Sequence, residues 1–239
     1  MTRPLPWSHS SLQGFDTCPR QYEEIKVLRN FQDQKNPASI WGDEFHQAAE
    51  KYVRARLAGL HWAESASTQE KAPLPANMTQ YLDYLEKFVA RPGITLCEQE
   101  LGLNEQLQPC EFLGPDVWMR GIIDLLNIQG AVANVDDHKT GKRKKDPQQL
   151  IIFALLTFYH HPQVNCVHTK FHWVAFGGVT DGETYYRHQI PELWDTLIPK
   201  LKDYRNAFHR GVFPPRPSGL CKKHCAVDTC EYFGRGPRG

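Results

Sequence analysis

Two stretches of alternating apolar and polar residues, joined at Gln129-Gly130, constrain the fold of this chain more than any other feature of its sequence. Val117–Ile128 and Ala131–His138 both alternate with the period of two that is typical of β-strands. The connecting dipeptide contains a glycine, which tight turns between antiparallel strands favour. The sequence therefore predicts a β-hairpin in the second half of the chain.

The hairpin is predicted to gather charged side chains on one face. If Gln129-Gly130 forms a two-residue turn, Asp124 lies opposite Val135. Asp137 and Lys139 follow at intervals of two, so they project from the same face. The residues between them point the other way. The hairpin would therefore present two carboxylates and an ammonium group side by side.

Two neighbouring carboxylates repel each other, and a cation between them relieves the repulsion. Mg²⁺ and Mn²⁺ prefer oxygen ligands, so either ion suits such a pair. A bound ion of this kind can activate water and stabilise charge on a phosphate. The alternative is a surface hairpin with a simple salt bridge, because Asp-x-Lys is a common pattern by itself.

The rest of the chain combines helical and strand patterns. Apolar residues at helical spacing predict helices over Ser8–Val27, Trp41–Leu57, Met78–Val89, Pro147–His160 and Pro191–Arg210. Alternation predicts further strands over Ile94–Leu103, Val167–Phe176 and Thr184–Ile190. Helices on either side of a mostly central run of strands indicate an α/β or α+β sandwich.

The amino-acid composition gives little indication of which molecules this protein binds. The 28 basic side chains nearly balance the 27 acidic ones, so any nucleic-acid binding must come from a local basic patch. Met1–Ser11 lacks the apolar stretch of a signal peptide. The longest apolar run, Leu150–Phe158, is much shorter than the roughly 20 residues that cross a bilayer. These features predict a soluble, intracellular protein.

The seven cysteines point to a metal site rather than to disulfides, because their number is odd and no export signal precedes them. Cys221, Cys225 and Cys230 lie close together near the C-terminus, and Cys18 lies roughly 200 residues earlier. Four thiolates suit a [4Fe–4S] cluster or a structural Zn²⁺, either of which would hold the N-terminal helix against the tail. Unligated cysteines in the tail are the alternative.

The hairpin motifs resemble those of a known enzyme family. The G-x-x-D of Gly121–Asp124 and the D-x-K-T-G of Asp137–Gly141 resemble the core of RecB-like nucleases in the PD-(D/E)XK superfamily. Other segments match in order: S-x-L…C-P-R-x-(F/Y) at Ser10–Tyr22, G-x-x-x-H at Gly42–His46, and the Gln of Q-x-x-x-Y at Gln149. The tail resembles that of the subgroup with an iron–sulfur site, which includes small exonucleases linked to CRISPR adaptation and related phage proteins.

The resemblance implies an α/β fold with a PD-(D/E)XK nuclease core, in which helices flank a central mixed sheet. Residues 1–239 would form a single nuclease domain. Within it, residues 1–92 would be a helical N-terminal part, 93–210 the catalytic core and 211–239 a cysteine-rich tail packing with Cys18.

The activity that the resemblance implies is a metal-dependent DNA exonuclease. It would act on single-stranded DNA or DNA ends in recombination, repair or CRISPR adaptation, with proteins of those processes as partners. The location would be the cytoplasm of a bacterial or phage-infected cell. The alternative is a non-catalytic DNA-binding or recombination-assembly module on the same fold.

The resemblance also assigns roles to residues. The implied ligands of Mg²⁺ or Mn²⁺ are His46, Asp124, Asp137 and the backbone carbonyl of His138. Lys139 would be the catalytic lysine, and Gln149 would position water or DNA. Phe153 stands where the family often has a tyrosine, so a hydroxyl group is missing there. Glu98 and Glu100 lie on one face of the preceding strand, and Glu100 is favoured as the family's upstream acidic residue.

Two further assignments concern the tail and the DNA. The tail reads C-x3-C-x4-C, whereas the family's tail reads C-x2-C-x5-C, and His224 stands where the middle cysteine would be. The resemblance favours the cluster, and this departure from the family's spacing makes a Cys/His zinc site the alternative. The residues expected to contact phosphates are Lys142, Arg143, Lys144 and Lys145. Arg20 is expected to bind DNA by stacking on bases or lining a passage. For the basic run, a solvated loop is the alternative.

Overall fold

The computed structural model describes residues 4–33, 36–58, 74–144, 146–177 and 179–235. The chain divides into two compact units. One comprises Asn36–Pro191, and the other comprises Met1–Lys35 together with Glu192–Gly239. Among the described residues, no helix is both long enough and apolar enough to cross a membrane.

The larger unit is built on a six-stranded mixed sheet of order β2-β1-β3-β4-β5-β6. The strands are β1 (Ile94–Leu103), β2 (Pro109–Cys110), β3 (Met119–Gln129), β4 (Val132–Lys139), β5 (Cys166–Trp173) and β6 (Val179–Tyr186). Among the strands of the described residues, only β4 and β5 pair in parallel, and a helix lies between them in sequence, as a parallel connection requires. The predicted mixed sheet with flanking helices is confirmed.

The described part of this unit includes the helices α3 (Pro37–Leu57), α4 (Leu82–Val89) and α5 (Pro147–His160). The first begins four residues before its predicted start, because Asn36 and Ser39 form a capping box and proline occupies the first turn. A short 3₁₀ helix over Ala76–Tyr81 precedes α4. Apolar side chains of α3 and α4 form one buried cluster with Cys97 of β1 and Leu125 of β3.

Helix α5 has the predicted bounds, with Asp146 as its N-cap and proline at its first position. It packs closely against β3. A Cβ atom added to Gly121 would lie 2.7 Å from Leu156 Cδ1. The glycine of the G-x-x-D motif therefore lets helix and strand approach each other.

The central hairpin forms with a register that differs from the predicted one. Gln129 pairs with Val132, so the turn is Gly130-Ala131, and Gly130 adopts a left-handed φ of 59°. Leu126, not Asp124, therefore lies opposite Val135. The prediction was wrong by two residues. Because side chains alternate with a period of two, an even shift leaves each side chain on its predicted face.

The last strand also differs from its prediction. It covers Val179–Tyr186 rather than Thr184–Ile190, and Arg187–Gln189 forms a 3₁₀ turn that leads into α6 (Ile190–Arg210). The physical reason is the Arg187 guanidinium, which donates hydrogen bonds to three backbone carbonyls at and beyond the end of α5. These hydrogen bonds hold Arg187 outside the sheet, so the strand ends at Tyr186.

The smaller unit contains α1 (His9–Thr17), α2 (Pro19–Tyr22), a π-helical turn (Glu23–Val27), most of α6 and a 3₁₀ turn (Gly219–Lys222). Its core is aromatic. Phe15, Tyr22 and Tyr204 pack edge to face, and the hydroxyl groups of the two tyrosines lie 2.8 Å apart. Thus α1, α2 and α6 share one core.

Candidate metal centre and cysteine cavity

The candidate metal centre lies where β3 and β4 separate. Their pairing ends at Leu125 and Asp136, although both strands continue beyond these residues. Past this point β3 pairs only with β1, and β4 only with β5. The Asp124 carboxylate lies at the separation and accepts a 2.7 Å hydrogen bond from the backbone N–H of His138. The end of the ladder thus leaves room for a carboxylate between two strands.

Helix α3 brings His46 to this carboxylate. A Cβ added to Gly42 would lie 2.8 Å from Thr140 Oγ1, so glycine lets the helix approach the chain directly after β4. One helical turn later, His46 Nδ1 lies 3.3 Å from Asp124 Oδ2. The predicted G-x-x-x-H helix therefore does place its histidine beside the hairpin.

The third member of the group is Glu98 of β1. One ligand atom each from His46, Glu98 and Asp124 lie within 4.8 Å of one another. Glu100, which the resemblance favoured, is exposed, pairs with Ile122 and lies outside this group. Alternation failed to distinguish the two glutamates because Glu98 has a left-handed φ of 46°, which no sequence pattern in β1 signals.

Asp137 sits in a small polar network with Lys139 and Gln149, two of the other predicted catalytic residues. Lys139 Nζ lies 2.7 Å from Asp137 Oδ2 and donates a 2.9 Å hydrogen bond to Gln149 Oε1. Gln149 Nε2 in turn donates to Asp137 Oδ1 at 3.0 Å. The lysine approaches Oδ2 as a charge but not along a hydrogen-bonding direction, so this buried oxygen lacks a directed donor. A buried carboxylate oxygen is costly unless it is paired, so Asp137 Oδ2 suits a cation, whether the neighbouring ammonium or a bound metal ion.

The electrostatics of the group also suit a cation. Burial, followed by the charge of Asp124, raises the pKa of Asp137 to about 6 and that of Glu98 to about 7. Burial acts to raise the pKa of Asp124, but its hydrogen bond with His46 lowers it overall. Burial acts to lower the pKa of His46, but the surrounding carboxylates raise it to about 9. The carboxylates of this group therefore lack enough positive charge from the protein's own side chains.

The residues between the predicted ligands point away, as expected. Asp136 is fully buried, pairs with Arg91 and accepts a 2.6 Å hydrogen bond from His172 Nε2. The His138 ring is buried with Nδ1 2.6 Å from the Tyr84 hydroxyl, and burial lowers its pKa to about 4. The ring is therefore a packing group, and the role of the His138 backbone carbonyl as a ligand stays a prediction.

Phe153, four residues after Gln149, is buried with 3% exposure, and its ring lies near Gly121 in the packing of α5 on β3. It supplies packing where a tyrosine would add a hydroxyl group.

The basic run after β4 is exposed at Lys142, Arg143 and Lys144, while Lys145 lies outside the described residues. Arg143 already has a partner: it donates to both carboxylate oxygens of Asp181 at 2.7 and 2.5 Å. The arginine therefore ties this loop to β6. In the smaller unit, Arg20 pairs with two glutamates of the following turn at 3.0 and 2.6 Å.

The four cysteines singled out by the sequence line one cavity in the smaller unit. They are Cys18, Cys221, Cys225 and Cys230. Backbone N–H groups of Arg216 and Ser218 donate to the Cys18 and Cys221 sulfurs, each at 3.4 Å. Burial, and to a lesser extent the other three thiols, raises the pKa of Cys225.

The cavity has the donors for a soft cation, but its sulfur atoms are not drawn together. Among the described residues, no three of these sulfurs lie within 4.8 Å of one another. His224 is exposed and is not part of the cavity lining. The donor set at the cavity is therefore four thiols rather than a mixed Cys/His set.

The family model described as the PD-(D/E)XK nuclease superfamily matches residues 6–231. A crystal structure of a candidate exonuclease from Eubacterium rectale is 12% identical, with a TM-score of 0.51, covering 98% of this chain and 91% of that one. The crystal structure of SSO0001 is also 12% identical, with a TM-score of 0.43 and coverages of 97% and 89%. No curated protein matches the chain. At this identity the structural likeness concerns the fold alone.

Proposed function

The chain belongs to the PD-(D/E)XK nuclease superfamily, and from this premise we propose that it is a metal-dependent DNA exonuclease. The substrate would be single-stranded DNA or DNA ends. The observation that carries the proposal is the group formed by His46, Glu98 and Asp124, whose ligand atoms lie within 4.8 Å of one another. Asp137 adds a buried carboxylate oxygen without a directed donor, so the set offers both the charge and the oxygen ligands that Mg²⁺ or Mn²⁺ needs.

Each residue of the group would have its own role in phosphodiester hydrolysis. When bound, the divalent cation would supply an activated water molecule and neutralise charge on the phosphate. Asp124 and Asp137 would hold it from the hairpin, Glu98 from β1 and His46 from α3. His46 would have to give up a proton first, because a metal ligand binds through an unprotonated nitrogen.

Lys139 would act next to the reacting phosphate. Its ammonium lies beside Asp137, and the 2.9 Å hydrogen bond to Gln149 fixes its direction. From there it can orient the attacking water or stabilise the negative charge that develops on phosphate oxygens. Gln149 would be a positioning residue, since it accepts a hydrogen bond from Lys139 and donates one to Asp137 Oδ1.

End-labelled DNA tests this function directly. Single and double strands, labelled at either end, are incubated with the protein and Mn²⁺, and the products report activity, strand preference and polarity together. Lys139→Met should lower the rate by about 10²-fold or more, as loss of one charge-stabilising group does. Lys170→Met is the matched control, because Lys170 lies on the neighbouring strand in register with Asp136. Cleavage unchanged in Lys139→Met would refute the assignment and favour the non-catalytic DNA-binding module.

We infer that the cysteine cavity binds a [4Fe–4S] cluster, with structural Zn²⁺ as the alternative. Its four thiols support the cluster, and the exclusion of His224 from the cavity weighs against a mixed zinc site. Binding would have to draw the sulfurs closer together. Metal analysis and a visible absorption spectrum of the purified protein distinguish iron–sulfur from zinc, and Cys18→Ser should lose most of whichever metal is found. A wild-type protein with neither metal would contradict the proposal.

Among the predicted DNA contacts, Lys142 and Lys144 are the ones we assign to phosphates. Both are exposed in the loop that follows Lys139, whereas Arg143 is held by Asp181. The loop would guide a strand by charge, without reading sequence. The biological process, whether recombination, repair or CRISPR adaptation, and the protein partners it would involve, are implied by the family resemblance alone.

A further inference from the structure

Glu98 reaches the metal centre through an unusual backbone conformation. On either side of it β1 pairs regularly with β3, Cys97 with Leu125 and Gln99 with Ile123. Glu98 itself has a φ of 46°, in the left-handed region that residues other than glycine seldom adopt. Such a conformation persists only where the surroundings enforce it.

The enforcing contacts converge on the carbonyl that precedes Glu98. The backbone oxygen of Cys97 accepts a hydrogen bond from Arg54 Nη2 at 2.9 Å and a second from Gln99 Nε2 at 2.9 Å. The Cys97 side chain is buried at 3% exposure in the core cluster beneath α3 and α4. The residue before Glu98 is therefore anchored through both its side chain and its carbonyl.

Arg54 also makes a contact within its own helix. It lies two helical turns after His46 on α3, and its Nε donates to Glu50 Oε1 at 2.8 Å. The fork of the guanidinium thus serves two acceptors at once, one on its own helix and one on β1. Lysine cannot reproduce this geometry, because it offers a single charged group without the planar fork.

We propose that Arg54 is a positioning residue for the metal centre, which holds Glu98 in its ligand conformation by fixing the Cys97 carbonyl. This inference rests on the proposed metal-dependent nuclease function. Arg54 would touch neither the cation nor the DNA. It would couple α3, which carries His46, to β1, which carries Glu98, so that both ligands keep one spacing. Residues that orient metal ligands in this way typically change metal affinity by about 10- to 100-fold when removed.

The test measures Mn²⁺ binding to the metal-free full-length protein by isothermal titration calorimetry, so it does not depend on catalysis. Arg54→Met should weaken Mn²⁺ binding by about 10- to 100-fold. Arg54→Lys should weaken it less. Arg56→Met is the matched control, because Arg56 lies on the same helix and pairs with Glu86 away from the metal group. The control should bind Mn²⁺ like the wild type.

A second comparison asks whether Arg54 acts through Glu98. In a Glu98→Ala background, Arg54→Met should change Mn²⁺ affinity by less than about twofold, since the residue it positions is gone. An undiminished effect in that background would overturn the proposal, as would wild-type affinity in Arg54→Met. If Arg54→Met does not fold, Gln99→Leu removes the other donor to the same carbonyl and should also weaken Mn²⁺ binding. A wild type that binds no Mn²⁺ would instead refute the metal centre itself.

Discussion

Asp136 and Asp137 are neighbours in sequence, yet the structure predicts opposite consequences for replacing them. Both are buried carboxylates of β4. Asp136 has its charge matched by Arg91 and His172. Asp137 is paired with Lys139, but one of its oxygens lacks a directed donor and the carboxylate lies near Asp124, whose charge helps to raise its pKa. We expect Asp136→Asn to destabilise the metal-free protein and Asp137→Asn to stabilise it.

The magnitudes follow from the two environments. Removing one partner of a buried ion pair costs about 3 to 5 kcal/mol, and the partly exposed Arg91 places Asp136→Asn near the lower end. The pKa of Asp137 is raised from 3.8 to about 6, so keeping it ionised at pH 7 costs up to about 3 kcal/mol. The asparagine substitution removes that cost. With about 2–4 °C per kcal/mol for a chain of this size, the two variants should differ in Tm by about 10 °C or more.

The pH dependence of Asp137 has a definite sign. Its folded pKa lies above its unfolded value, so its destabilising effect is fully present above pH 6 and disappears below pH 4. The stability advantage of Asp137→Asn should therefore be largest at pH 7 and vanish near pH 4. Asp136 has a lowered pKa, so its contribution is lost only on further acidification.

Thermal unfolding with and without Mn²⁺, repeated at several pH values, measures the stability changes of both variants and their pH dependence. Mn²⁺ at about 100 times its Kd should stabilise the wild type by about 2.7 kcal/mol and should stabilise Asp137→Asn much less. Asp136→Asn should retain a Mn²⁺ response and cleave DNA in proportion to its folded fraction. If metal-free Asp137→Asn is instead destabilised as much as Asp136→Asn, Asp137 is a structural residue and the reasoning fails.

Three further predictions follow from close contacts and exposed charge. Gly42→Val should push α3 away from the end of β4 and weaken Mn²⁺ binding in a titration, whereas Gly141→Ala, with open space around it, should bind normally. Gly121→Val should lower the free energy of unfolding by about 1–3 kcal/mol in urea denaturation, because its side chain would overlap α5. Replacing Lys142 and Lys144 together with glutamine should reduce the slope of log affinity against log salt for single-stranded DNA by about 1.4, and an unchanged slope would exclude both as phosphate contacts.

Much of the architecture could be predicted from local sequence. The period of two in β1 predicted its bounds without error, and Pro147 predicted the start of α5. These features are local because a strand or helix repeats its burial pattern every few residues. The candidate ligands on the hairpin also followed, since an even error in register leaves each side chain on the same face.

The sequence by itself determined which carboxylates, histidine and lysine are available, and that Asp124, Asp137 and Lys139 lie on one face of the hairpin. Only the tertiary structure decided which of them meet. It selected Glu98 over Glu100, because a left-handed residue held by contacts with α3 breaks the alternation on which sequence reasoning depends. It also showed that Arg143 forms an ion pair within the protein. Its partner Asp181 is 38 residues away in sequence but lies at hydrogen-bonding distance in the fold. Helices and strands can be predicted from sequence because their burial patterns repeat every few residues. A binding site depends on distances between residues far apart in sequence, and a short-range periodicity carries no information about those distances.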